Sequence, residues 1–117
     1  MPKENDAKNG SVSTTTLVLA VLKSGPLHGY GIAREIERRS RSVLRPGESA
    51  LYPALRALEQ DGYITGGWQI MQDGPPRKVY QLTWSGEQEI TRRTGAWSDY
   101  KAAVNLVMQC PAPESRI

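Results

Sequence analysis

The side chains with the most chemical reach in this 117-residue chain gather at two places. Ser49, Tyr52 and Arg56 follow one another three and four residues apart, so a helix there carries a hydroxyl, a phenol and a guanidinium on one outward face. Such a face can donate hydrogen bonds to phosphate oxygens and to base edges in a major groove. Arg77 and Lys78 follow directly on Gln72-Asp73-Gly74-Pro75-Pro76, a turn by its Asp-Gly-Pro content. Two cations on a loop stiffened by two prolines suit a nucleic-acid backbone or minor groove. The plainer reading of both groups is solvated charged surface. That reading is the better one for Arg34, Arg38, Arg39, Arg41 and Arg45, because Glu35 and Glu37 interleave them.

Other chemistries are excluded by scarcity. His28 is the single histidine and Cys110 the single cysteine, so one chain cannot assemble a Cys/His metal cluster, a disulfide or a Cys/His nucleophile pair. No cofactor and no catalytic role are expected. His28, in Pro26-Leu27-His28-Gly29-Tyr30, reads as a hydrogen-bonded turn histidine packed near Tyr30, with pH sensing as the sharper alternative. Cys110, near an end, reads as inert, with a redox switch as its alternative. Fifteen Lys and Arg against 12 Asp and Glu give a net charge of +3, which favours an anionic partner without demanding one. The longest apolar run, Leu17 to Leu22, falls far short of the roughly 20 residues that span a bilayer. Residues 1–11 carry Lys3, Glu4, Asp6 and Lys8 and no apolar h-region, so a disordered tail and a cytoplasmic protein are expected.

The elements that would position these groups can be read from period and punctuation. A helix is predicted from Thr14 to Lys23, capped by Ser13 or Thr14 and stopped by Ser24-Gly25-Pro26. A second runs from Tyr30 to Ser40, with Ile32, Ala33 and Ile36 on one face and Glu35 in reach of Arg39. Leu51, Leu55 and Leu58 mark a third, with Ser49 as cap and Gly62 past its end. Its start belongs near Ser49 or Ala50 so that Pro53 stays within the first turn. After Gly62 the period changes: Tyr63-Ile64, Trp68 to Met71 and Arg77 to Leu82 read as short strands, the last two forming a hairpin. Thr83 then caps a helix over 84–108 with Ile90, Trp97 and Val104 at seven-residue spacing and Tyr100 and Val107 beside them. At about 37 Å this helix outruns a domain of roughly seventy residues, so its stripe needs a second chain. The expected organisation is a tail over 1–11, a winged-helix domain over 12–83, a dimerisation helix over 84–108 and a tail over 109–117. The fold class is α+β.

Three stretches, in order, resemble the PadR-like transcription regulators. Pro26-Leu27-His28-Gly29-Tyr30-Gly31-Ile32 resembles that family's turn between its first two helices. Gly47-Glu48-Ser49-Ala50-Leu51-Tyr52-Pro53-Ala54-Leu55-Arg56-Ala57-Leu58-Glu59 with Gly62-Tyr63-Ile64 resembles its recognition helix, departing from the common pattern at Ala50. Gly74-Pro75-Pro76-Arg77-Lys78-Val79-Tyr80-Gln81-Leu82-Thr83 with Gly86 resembles its wing and the entry to its last helix. The resemblance covers about residues 14–108, and the single C-terminal helix is similar to a compact subfamily that includes multidrug-responsive repressors. It implies a homodimeric winged helix-turn-helix regulator on a pseudo-palindromic double-stranded operator. DNA contacts then fall to Ser49, Tyr52, Arg56, Arg77 and Lys78. The dimer interface falls to Ile90, Trp97, Tyr100, Val104 and Val107. By the same resemblance Trp97 is the candidate platform for a small aromatic or cationic hydrophobic effector whose binding releases the operator. The rival reading keeps the fold as a protein-interaction module without DNA binding.

Overall fold

The computed structural model of the chain describes residues 12–109. The first helix, α1 (Thr14–Leu22), starts at Ser13, whose hydroxyl accepts the Thr16 N–H. Its Thr16, Val18, Leu19, Val21 and Leu22 are all buried, an apolar surface too broad for a one-sided helix. Around it pack α2 (Gly29–Arg39), α3 (Glu48–Gln60) and the start of α4 (Trp84–Met108). Ile32 and Ile36 of α2, Leu51, Leu55 and Leu58 of α3, and Ile90 of α4 complete the core with Ile64 and Tyr80 from the sheet.

The sheet has three antiparallel strands in the order β1 (Leu27–His28), β3 (Arg77–Leu82), β2 (Ile64–Gln69). Register pairs Ile64 with Leu82, Gly66 with Tyr80 and Trp68 with Lys78 on one face of the hairpin. Three helices with a hairpin wing and a long last helix make this the α+β winged helix-turn-helix that the sequence predicts.

Three details differ from that expectation. Helix α3 begins at Glu48 with Gly47 as its N-cap, so Ser49 is an exposed first-turn residue and not the cap. Pro53 is then the sixth helical residue, in the second turn, where it lacks the N–H that would bond the Ser49 carbonyl. The two short strands expected around Gly66-Gly67 are one strand, Ile64–Gln69, and Ile70 and Met71 lie outside it. A Cβ on Gly66 would displace Lys78 Cε and crowd Glu59 Oε2 and the Tyr80 ring, so glycine leaves room there for the Lys78 side chain. Strand β1 is an addition: two residues carry too little pattern to announce a strand. Cys110 and the expected tails, apart from Gln109 at the C-cap of α4, lie outside the described residues.

The start of α4 is bolted to the turn after α3. Thr83 N–H donates to the Tyr63 carbonyl at 3.0 Å, and the Thr83 hydroxyl donates to the Gly62 carbonyl at 2.7 Å while accepting the Gly86 N–H as N-cap. Gly86 lies so close that a Cβ there would overlap the Tyr63 carbonyl. Further along, Arg93 donates from Nη1 to both Thr15 and Thr16 hydroxyls at 3.0 Å, tying α4 to the start of α1. Because the atom in the way at Gly86 is backbone, the clash cannot be relieved by a rotamer change. Gly86→Ala should therefore destabilise the fold by about 1–3 kcal/mol despite alanine's better helix propensity. Urea unfolding followed by circular dichroism measures this, and a gain in stability would contradict the packing described.

Candidate nucleic-acid interface

With the leucines of α3 turned inward, the opposite face of that helix is presented to solvent. Ser49, Tyr52 and Arg56 are all exposed, and Arg56 makes no ion pair among the described residues. Tyr52 is 40% exposed, with its ring lying over Gly29 at the start of α2. A Cβ on Gly29 would sit 3.4 Å from both the Tyr52 hydroxyl and Cε1, in van der Waals contact, so the ring packs beside the start of α2.

The two wing cations have different fates. Arg77 is exposed, with no ion-pair partner among the described residues. Lys78 lies back over the hairpin, its Nζ 3.3 Å from Glu59 Oε1 of α3 and 5.4 Å from the centre of the Tyr80 ring. It therefore braces the wing against α3 in the space that Gly66 leaves. Between wing and helices lies an open cleft of about 330 Å³, lined by His28, Gly29, Tyr30, Tyr52, Trp68, Arg77, Lys78 and Tyr80. Tyr30 and Trp68 were not among the residues singled out by sequence. Trp68 enters the cleft only through its pairing opposite Lys78, a register that composition does not reveal.

His28 has a structural task at the cleft's rim. Its Nδ1 accepts the Gly31 N–H at 3.2 Å as the N-cap of α2, and its ring lies nearly parallel to that of Tyr30, centroids 6.4 Å apart. Burial, and secondarily the Arg77 charge, lower its pKa below the ordinary 6.5. Elsewhere the arginines are mostly engaged. Glu35 bonds Arg38 and Arg39, and Glu89 bonds Arg92 and Arg93, holding each carboxyl down to about 2. Arg34 stacks on Tyr30, its guanidinium carbon 5.5 Å from the ring centre.

A helix with an exposed polar face beside a basic hairpin is the arrangement of a winged helix, and residues 18–92 match the Transcriptional regulator PadR-like family. The chain belongs to the PadR-like family. Among its relatives, the Negative transcriptional regulator PadR of Bacillus subtilis is 33% identical over 73 residues, 62% of this chain and 40% of that protein. Among solved structures, smu.1704 from Streptococcus mutans superposes with a TM-score of 0.72 at 33% identity, covering 86% of this chain and 91% of that one. A PadR family transcription regulator from Clostridium difficile gives 0.70 at 27% identity, covering 80% and 96%. PadR-like proteins are transcriptional regulators and not enzymes; they bind DNA and typically act as dimers. No helix among the described residues is long and apolar enough to cross a membrane.

The expected dimer stripe divides in two. Ile90 is only 2% exposed and belongs to the protomer's own core, because α4 still lies against α1 and β3 at that point; this corrects its assignment to the interface. Trp97 and Tyr100 are half-buried with rings 6.0 Å apart, and Val104 and Val107 are exposed, the latter at 75%.

The His28 cap gives a pH dependence whose sign follows from its lowered pKa. The neutral imidazole is the form that accepts the Gly31 N–H, so its contribution is complete above about pH 6.5 and is lost as pH falls through the lower folded-state value. Melting temperature should drop between pH 7 and pH 5. His28→Asn, which keeps a capping acceptor without titrating, should flatten that part of the profile. An unchanged slope in the variant would remove His28 as the cause.

Proposed function

We propose that the chain is a homodimeric repressor that binds a pseudo-palindromic operator, with α3 in the major groove and the hairpin wing against the adjoining backbone or minor groove. The observation that carries it is the pair of free cations, Arg56 on α3 and Arg77 on the wing, flanking exposed Ser49 and Tyr52 while most other described arginines are engaged by carboxylates or hydroxyls. Lys78 contributes by bracing the wing and by adding charge near the backbone. The repressor role draws on the B. subtilis relative, named a negative transcriptional regulator. A localisation in the cytoplasm, where the operator would be, goes with this reading.

Binding should be strongly salt-dependent, with log K falling by about 0.9 per log unit of salt for each phosphate neutralised. Fluorescence anisotropy on a duplex selected from a random library, titrated at several salt concentrations, measures it. Arg77→Ala should weaken all sequences alike and reduce the slope. Arg56→Ala should also relax discrimination if it reaches a base edge. Failure to retain duplex DNA at low salt would sink the reading and favour a protein-interaction module.

For the dimer, the supporting observation is that α4 continues past Ile90 with Trp97 and Tyr100 only part-covered and Val104 and Val107 exposed. A second copy of the same helix would cover them, and the Trp97 pair would then be the place for a planar aromatic or cationic effector. If Trp97 is chiefly packing, Trp97→Ala should cost about 3–5 kcal/mol of dimer stability, shift sedimentation toward monomer and abolish operator binding. If it is chiefly a stacking platform, the variant should stay dimeric and DNA-competent while planar dyes no longer bind. A dimeric variant that still takes up such dyes would leave Trp97 with neither role.

A further inference from the structure

We infer that the cleft between the start of α2, the face of α3 and the wing is the seat of one backbone phosphate of duplex DNA, held by Arg77 and by the hydroxyls of Tyr30 and Tyr52, with Trp68 as its outer wall. The inference rests on the proposed docking and goes beyond it by naming the atoms. If α3 occupies a major groove and the wing reaches the neighbouring minor groove, the sugar-phosphate strand that separates those grooves must cross the gap between them. That gap is the 330 Å³ cleft.

Its chemistry suits a phosphate diester. Arg34 donates from Nη1 to the Tyr30 hydroxyl at 3.4 Å, so that oxygen acts as acceptor toward the protein and its own proton remains to be donated outward. Tyr30 is 63% exposed, and its ring is held between His28 and the Arg34 guanidinium, which limits the ordering required on binding. Tyr52 is steadied over Gly29. No carboxylate is among the residues lining the cleft, and Lys78 is paired with Glu59, so the unpaired charge at the opening is that of Arg77, with Arg34 over Tyr30. Trp68 offers an aromatic plane for the flanking deoxyribose. Both phenols would donate charge-assisted bonds, the stronger class.

The test is a scan of the library-selected duplex in which single phosphates are replaced, one at a time, by neutral methylphosphonate. For the wild-type dimer one position in each half-site should stand out. Tyr30→Phe and Tyr52→Phe, which keep ring and packing, should each lose on the order of tenfold in affinity for the unmodified duplex. Neutralising that one phosphate should then cost each variant much less than it costs the wild type, because the partner bond is already gone. DNA-dependent quenching of tryptophan emission should diminish in Trp68→Phe. A Tyr30→Phe variant that binds as tightly as wild type, or whose loss is the same whichever phosphate is neutralised, overturns the cleft assignment and leaves the DNA reading intact. No binding of any duplex by the wild-type chain overturns both.

Discussion

Burial of the leucine stripe of α3 against α1 is the contact from which the rest of the arrangement follows. Leu51, Leu55 and Leu58 are among the least exposed residues of the chain, and α1 meets them with Val18, Leu19, Val21 and Leu22. Each such leucine is worth about 1.5–3 kcal/mol of transfer free energy, so the rotation of α3 about its axis is not negotiable. Helical geometry then sends Ser49, Tyr52 and Arg56 outward as a rigid set. It also delivers the chain at Gly62, φ +79°, in the left-handed turn that launches β2. The wing starts where it does because α3 is seated where it is, and the Lys78–Glu59 pair joins the two again near the same C-terminal end of the helix.

Charge is organised by the same seating. A net charge of +3 says little, since many described basic side chains are neutralised locally: Arg38 and Arg39 by Glu35, Arg92 and Arg93 by Glu89, Lys78 by Glu59. The most exposed of them contribute little to stability, as the 71% exposed side chain of Arg38 illustrates, whereas Arg93 and Glu89 are mostly buried. Their consequence is spatial. Pairing along α2 and α4 leaves Arg56 on α3 and Arg77 on the wing, with Arg41 and Arg45 in the connection before α3, as exposed arginines without an ion pair among the described residues, and such unneutralised charge attracts a polyanion.

Long elements with strong punctuation were legible in the sequence. The span of α4 over 84–108 and its Thr83 cap could be read directly, because a hydroxyl before a long periodic run has one natural role. The Glu35–Arg39 pair was legible for the same reason, being local to one helix. Most of what could not be read depended on contacts between distant segments. Gly66 as room for Lys78 and Trp68 in the cleft each require the register of β2 on β3, whereas the His28 cap is local to Gly31 and escaped because histidine is not among the usual capping residues. Ile90 shows the limit most plainly. Its spacing to Trp97 and Val104 is that of one continuous stripe, yet the stripe passes from the protomer's own core at Ile90 through half-buried Trp97 to exposed Val104. Periodicity reports that a face is apolar and not what covers it.

That change of cover along one helix bears on how a regulator of this shape could be switched. Helix α4 is continuous through both parts, and its first turns are joined to the turn after α3 by the Thr83 bonds and the Gly86 contact and to α1 by the Arg93 bridge. In the proposed dimer the same helix carries the contact with the partner, so the distance between the two recognition helices is set by how the two α4 helices cross. In that dimer a change of a few degrees at Trp97 would be carried along the helix to the anchored domain and would displace α3 as a body, Tyr52 and Arg56 included. Two half-sites fixed about 34 Å apart on DNA tolerate little such displacement. Coupling between an effector at the dimer contact and the operator then requires no flexible relay inside the winged helix, only two stable crossings of α4 that the effector and the DNA favour differently.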